Sequence, residues 1–204
     1  MVTKLKRAIV VEGEDDLGRL GLVHVYTGEG KGKTTASLGL AIRALGNGLR
    51  VYMIQFLKSG HTGELEIAKS IENFTIKQYG ADALKEKMRQ KTMADFIGNT
   101  KFVFEPDIAE MESCQMAFLH AREIIASGKY ELVILDEINC AIDKGLIKVE
   151  DVLDILKTHG NTEIVLTGRD APKEIMEQAD YISVIQRLKH PWQKGIKARK
   201  GIEY

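Results

Sequence analysis

Apolar positions along this chain follow two rhythms. Short, largely apolar runs recur at 22–26, 51–56, 132–135 and 164–167. Between them the spacing turns helical. Val149, Val152, Leu153 and Leu156 repeat at i, i+3, i+4 and i+7, a clear amphipathic helix. Cys114, Ala117, Phe118, Ala121 and Ile125 share one face of a helix over 111–126. The run at 132–135 is unbroken and ends in acids, which suits a strand buried on both faces. Further helices are predicted over 34–45, with Gly46 and Gly48 as stop signals, near 64–70, and over 172–179 with Pro172 near its start. Weaker strand patterns cover 74–78 and 181–188.

Strand and helix in repetition imply parallel pairing through right-handed crossovers. The expected fold is a single α/β domain over 22–204, a doubly wound, mainly parallel sheet of five or six strands with helices on both faces. Two stretches depart from the pattern. Residues 1–21 read as an arm. Residues 81–110 are polar and lysine-rich, and such a stretch inside a compact domain suits a lid or binding loop.

Composition narrows the classes. A chain of 204 residues, 44% hydrophobic and 28% charged, is enough for one well-buried soluble core. Its 29 basic and 29 acidic residues cancel, so neither nucleic acid nor an anionic membrane is an expected partner. No apolar run has the length of a membrane span, and the apolar patch near the N-terminus is too short for a signal peptide. A cytoplasmic location is expected. Cys114 and Cys140 form no C-x-x-C pair; Cys114 reads as core, while Cys140 is open to a substrate contact. The histidines show no metal-binding spacing, so no protein-built zinc site is expected.

The chemistry centres on Thr27-Gly28-Glu29-Gly30-Lys31-Gly32-Lys33-Thr34-Thr35, between a predicted strand and a predicted helix. That is the context of a P-loop. Glycines let backbone N–H groups converge on phosphate oxygens, and the helix start adds its positive dipole end. Lys33 is placed as the phosphate-binding lysine and Thr34 as the hydroxyl on Mg²⁺. The strict pattern fails only at its first position, where Thr27 replaces glycine. Lys31 is either a second phosphate contact or a solvated side chain. Asp136 and Glu137 emerge at the carboxyl end of a core strand, where open α/β sheets bind ligands. Asp136 suits Mg²⁺ held through water; Glu137 suits either the metal or a polarised water. Arg169 follows the next core strand, within reach of phosphate or ribose or paired with an acid. Phe102 and Phe104 form either core packing or an aromatic wall. These residues support an ATP–Mg²⁺ site without naming the reaction. An ATPase or kinase acting at the γ-phosphate and a non-catalytic binding module both remain open.

Several segments together resemble the P-loop type of ATP:corrinoid adenosyltransferase: YTGEGKGKTTAS, the RALG at 43–46, QFLKSG at 55–60, LVILDEIN at 132–139, LTGR at 166–169 and the closing LKHPWQKGIKARKGIEY. The ending is the most specific, because it has no general P-loop meaning. The resemblance implies that a Co(I) corrinoid attacks the 5′ carbon of ATP and expels triphosphate. ATP then lies in the reverse sense to that of P-loop hydrolases, and no general base is needed. It implies phosphate contacts for 28–35, metal roles for Thr34 and Glu137, and positions near the nucleotide for Arg43 and Arg169. Cytoplasmic homodimers served by a low-potential flavodoxin or flavoprotein reductase are also implied. Two departures stand out. Glu29 occupies a position where family loops commonly carry Asn or Asp, which alters a contact with ribose or metal. The family's F-x-W element, which helps strip the axial ligand from Co(II), has no tryptophan here; Phe102 and Phe104 stand at about that distance. The arm at 1–21 resembles segments that cover the active site, in some members across a dimer, with a disordered tail as the other reading.

Overall fold

A computed structural model describes residues 20–58, 60–80 and 108–203 of the chain. Among them, six strands form one all-parallel sheet: β1 (Val23–Thr27), β2 (Val51–Gln55), β3 (Phe74–Gln78), β4 (Leu132–Asp136), β5 (Glu163–Thr167) and β6 (Tyr181–Val184). Their spatial order is β3-β2-β4-β5-β1-β6. Six helices connect them: α1 (Lys33–Gly46), α2 (Gly63–Ala68), α3 (Ile108–Ala126), α4 (Ile138–Asp143), α5 (Val149–Thr158) and α6 (Lys173–Glu177).

Alternation along the buried strands explains the two layers. Val51 and Met53, Leu132 and Ile134, and Val165 face one side, where they pack with Ala41 and Ala44 of α1 and Ala68 of α2. Tyr52 and Ile54, Val133 and Leu135, and Ile164 and Leu166 face the other, against α3, α4, α5 and Ile175 of α6. The central strands are therefore apolar except at their ends and covered on both faces, as parallel sheets require. On α1 the buried residues after Lys33 are Ser37, Ala41 and Ala44, spaced i, i+4, i+7. These small side chains let the helix that follows the glycine loop lie close to the sheet.

Three details differ from the sequence reading. Helix α4 was not anticipated: Ile138, Ala141 and Ile142 are buried at helical spacing, but six residues are too few to stand out beside an apolar strand. The last strand stops at Val184 rather than continuing to 188. There the chain bends onto the glycine loop, with Ile185 N donating to Thr27 O (2.8 Å) and Gly30 N to Ile185 O (2.7 Å). Helix α6 is shorter than 172–179, with Pro172 as its N-cap. The expected arm lies almost wholly, and the expected lid mostly, outside the described residues. Positions 108–110 of that lid instead open α3. Among the described residues no helix is long and apolar enough to cross a membrane.

Ile134 is fully buried at the centre of the sheet. Replacing it with Ala is expected to cost about 2–5 kcal/mol, read as a lowered urea midpoint with an unchanged denaturant slope.

Candidate active site

The carboxyl edge of the sheet carries a polar layer set inside an apolar core. Sheet register places Gln55 opposite Asp136, and Thr167 ends the neighbouring strand β5. All three are fully buried. A buried carboxylate is costly unless it is paired and hydrogen-bonded, and Asp136 is saturated. Its Oδ1 accepts from Thr167 Oγ1 (2.7 Å) and Thr34 Oγ1 (2.9 Å). Its Oδ2 accepts from Lys58 Nζ (2.5 Å) and Gln55 Nε2 (3.1 Å). Gln55 is itself held, accepting from Gln78 Nε2 at 2.8 Å.

The glycine loop sits directly above this layer. Gly32 caps α1 with φ 122°, a conformation that side chains rarely adopt. Gly30 is required for a second reason: a Cβ there would stand 2.7 Å from the carbonyl oxygens of Ile185 and Gln186. Lys33 is largely buried, and its ammonium donates to Gly28 O (2.6 Å) and Gly30 O (2.9 Å), so the side chain closes back over the loop.

At the rim, the Glu29 carboxylate lies 3.4 Å from Arg169 Nη1 and 3.9 Å from Arg187 Nη1. Lys31 donates to Ile202 O (3.3 Å) and Glu203 Oε1 (3.2 Å), which brings the end of the chain against the loop. Bonds from Arg199 hold the Glu203 carboxyl at about 2. These pairs are exposed, so each contributes little to stability; their effect is on the shape and charge of the rim.

Glu137 takes a left-handed backbone (φ 65°), uncommon for a side-chain-bearing residue. Its amide donates to Thr167 Oγ1 at 3.0 Å. Its carboxylate accepts from Cys140 Sγ (3.0 Å), and that sulfur accepts from Arg169 N (3.2 Å). Burial, reinforced by the neighbouring Glu137, pushes the Cys140 thiol up to about 12. Cys140 is thus a protonated link between Glu137 and the segment that carries Arg169.

A cleft of about 510 Å³ opens over these groups, lined by residues 29–35 of the loop together with Glu137, Arg169 and Arg187. The structure therefore gathers Glu29, Gly30, Lys31, Gly32, Lys33, Thr34, Thr35, Glu137 and Arg169 around one space. Thr27, Gly28 and Asp136 lie behind the lining; Thr27 Oγ1 accepts from Ala171 N at 3.3 Å. Arg43 is not brought to the cleft. It stands in the last turn of α1, roughly 15 Å along the helix from Lys33. Phe102 and Phe104 fall outside the described residues. Sequence reasoning did not single out Lys58, Gln55 or Thr167. The first two lie in the QFLKSG segment, but nothing local tells which of its residues faces the loop.

The donor set bears on metal chemistry. Among the described residues no group of three or more His, Cys, Asp or Glu side chains is arranged to hold a metal ion. The hydroxyl of Thr34 and the carboxylate of Asp136 are instead two hard oxygen donors beside a phosphate cradle. Such a set fits Mg²⁺, which commonly takes one or two protein oxygens and completes its shell with phosphate and water.

Residues 19–204 match the family model described as ATP:corrinoid adenosyltransferase BtuR/CobO/CobP. The Corrinoid adenosyltransferase of Escherichia coli (strain K12) is 30% identical over 202 residues, covering 97% of this chain and 91% of that protein. The Corrinoid adenosyltransferase of Sinorhizobium sp is 31% identical over 192 residues, covering 90% and 80% respectively. Among solved structures, the flagellar accessory protein FlaH from Methanocaldococcus jannaschii superposes with a TM-score of 0.49 at 16% identity, over 81% of this chain and 71% of that one.

With Cys114 raised to about 11 and Cys140 to about 12, both by burial, neither thiol ionises appreciably at pH 8. Titration of the folded protein with a disulfide reagent at pH 8 is expected to label both at least about a hundredfold more slowly than a free cysteine. In denaturant both are expected to react promptly.

Proposed function

This chain belongs to the ATP:corrinoid adenosyltransferase family, and from that premise we propose how its cleft carries out the transfer. The enzyme adenosylates a corrinoid at the expense of ATP. The carbon at C5′ moves and the phosphates leave: the Co(I) electron pair forms the Co–C bond, and the pair of the C5′–O5′ bond departs on triphosphate. The observation that carries this reading is the glycine loop in which Lys33 folds over the Gly28 and Gly30 carbonyls and Thr34 bonds the buried Asp136, beneath a cleft of about 510 Å³.

The loop amides of 28–35 hold the triphosphate, and Lys33 exchanges the Gly28 and Gly30 carbonyls for its oxygens. Charge grows on that leaving group as the bond breaks, so fixed donors stabilise the transition state more than bound ATP. Mg²⁺, when bound, neutralises part of the same charge. Thr34 and Asp136, with Glu137 at the cleft wall, are the side chains for it. Arg169 and Arg187 meet the nucleotide at the rim, where they leave the Glu29 carboxylate. No residue has to remove a proton, since the nucleophile carries none. The protein's part is positioning and exclusion of water.

The resemblance supports the remaining assignments: a low-potential flavodoxin or flavoprotein reductase as electron donor, a homodimer in the cytoplasm and a covering arm over 1–21; the polar composition of 81–107 supports a lid there. It also supports Phe102 and Phe104 as corrinoid contacts. Replacing both with Ala is expected to impair turnover from Co(II) while ATP binding stays within about twofold; unchanged turnover would remove the assignment.

Two measurements test the central reading. With chemically reduced corrinoid, ATP is expected to yield adenosylcorrinoid and triphosphate in equal amounts, with neither ADP nor triphosphate formed when corrinoid is omitted. ADP formed without corrinoid would instead establish phosphoryl chemistry. Lys33→Ala is expected to lower kcat/KM by about 10²–10³ with the circular-dichroism spectrum preserved.

A further inference from the structure

The cation beside Asp136 is provided by the chain itself. Lys58 Nζ lies 2.5 Å from Asp136 Oδ2 and 3.3 Å from Thr34 Oγ1, and its side chain is three-quarters buried. Those two residues also provide the oxygens assigned above to Mg²⁺. At the roughly 2.1 Å spacing that Mg²⁺ demands, an ion drawn to both lies in the space the ammonium fills. Two cations do not share that space.

The backbone is shaped to deliver this lysine. Phe56 N donates to Asp136 O at 2.9 Å, which carries the pairing of β2 with β4 one residue past the strand. Leu57 then takes φ 55°, a rare conformation for a bulky residue. The turn passes against Gly80, where a Cβ would stand 3.2 Å from the Lys58 backbone nitrogen and oxygen. A merely solvated lysine needs neither the turn nor the close approach.

We propose that Lys58 is the resident counter-cation of the metal cradle. In the nucleotide-free protein it neutralises Asp136 and holds Thr34. When ATP brings a divalent ion, the ammonium gives way to it and swings on its flexible stem to the triphosphate. When triphosphate departs with the ion, Lys58 returns to Asp136. The cradle is thereby closed to a divalent ion that arrives without nucleotide. This inference rests on the reading that Thr34 and Asp136 hold the ion.

The test uses Mn²⁺ as the probe and the full chain, with protein-bound ion read by electron paramagnetic resonance and no corrinoid present, so that ATP is not consumed. Wild-type protein is expected to bind Mn²⁺ weakly alone and to hold it in the ternary complex with ATP. Lys58→Met is expected to bind Mn²⁺ without ATP at least tenfold more tightly than wild type, and Asp136→Asn in that background is expected to abolish the gain. Lys58→Arg, which keeps the charge, is expected to behave as wild type. A gain below tenfold in Lys58→Met overturns the inference while leaving the metal site standing, provided that the wild-type ternary complex forms. Absence of protein-bound Mn²⁺ in the wild-type complex overturns both. Should Lys58→Met fail to fold, Lys58→Gln, whose amide keeps a donor on Asp136, is taken through the same titration and judged by the same tenfold limit.

Discussion

The carboxylate of Asp136 is the constraint around which this protein is arranged. It is fully buried at the end of a central strand, and it accepts from four donors on different parts of the chain. Thr34 ties it to the start of α1, Gln55 to β2, Lys58 to the turn after β2, and Thr167 to β5. Replacing such a group with apolar residues can raise stability, so its value here lies in position. One charge sets the distance between the glycine loop and the sheet, and it holds the Thr34 hydroxyl in place beside the phosphate cradle.

The glycine loop answers to a second neighbour. Beyond β6 the chain turns onto it, and Ile185 exchanges backbone bonds with Thr27 and Gly30. The absence of a side chain at Gly30 therefore serves the packing of the segment after β6 as well as the approach of phosphate. Farther out, Lys31 meets Ile202 and Glu203, and Glu29 meets Arg169 and Arg187. Because these outer contacts are exposed and charged, triphosphate can compete for their cations at modest cost, whereas the Asp136 carboxylate beneath them is screened from water. The contrast suits a site that must hold a strongly charged leaving group and then release it.

Much of the fold was legible because it rests on local periodicity. A strand buried on both faces reads as an unbroken apolar run, and β4 with its terminal acids stood out for that reason. Helix α5 announced itself by its spacing. Helix α4 escaped because its six residues continue the apolar character of β4. Strand β6 was overextended because past Val184 the backbone of Ile185 bonds to the loop and Leu188 is exposed. Arg43 came from a family segment, and the length of α1 carries it away from the cleft. Cys140 drew notice only for its nearness to the acids; its bonds to Glu137 and Arg169 come from the left-handed turn at Glu137, which no spacing encodes.

The sequence by itself determined the order of strands and helices, the phosphate-binding character of the loop, the acids at a strand end and the family. Each of these is written in residues close together along the chain. The tertiary structure alone decided which buried polar groups meet. Thr34 bonds Asp136 across 102 positions and Lys58 does so across 78, distances over which periodicity carries no information. The physical reason is register. Once β2, β4 and β5 pair in parallel, polar residues at their carboxyl ends are brought together in an interior where an unpaired group is costly, and the partners are whichever side chains that geometry delivers.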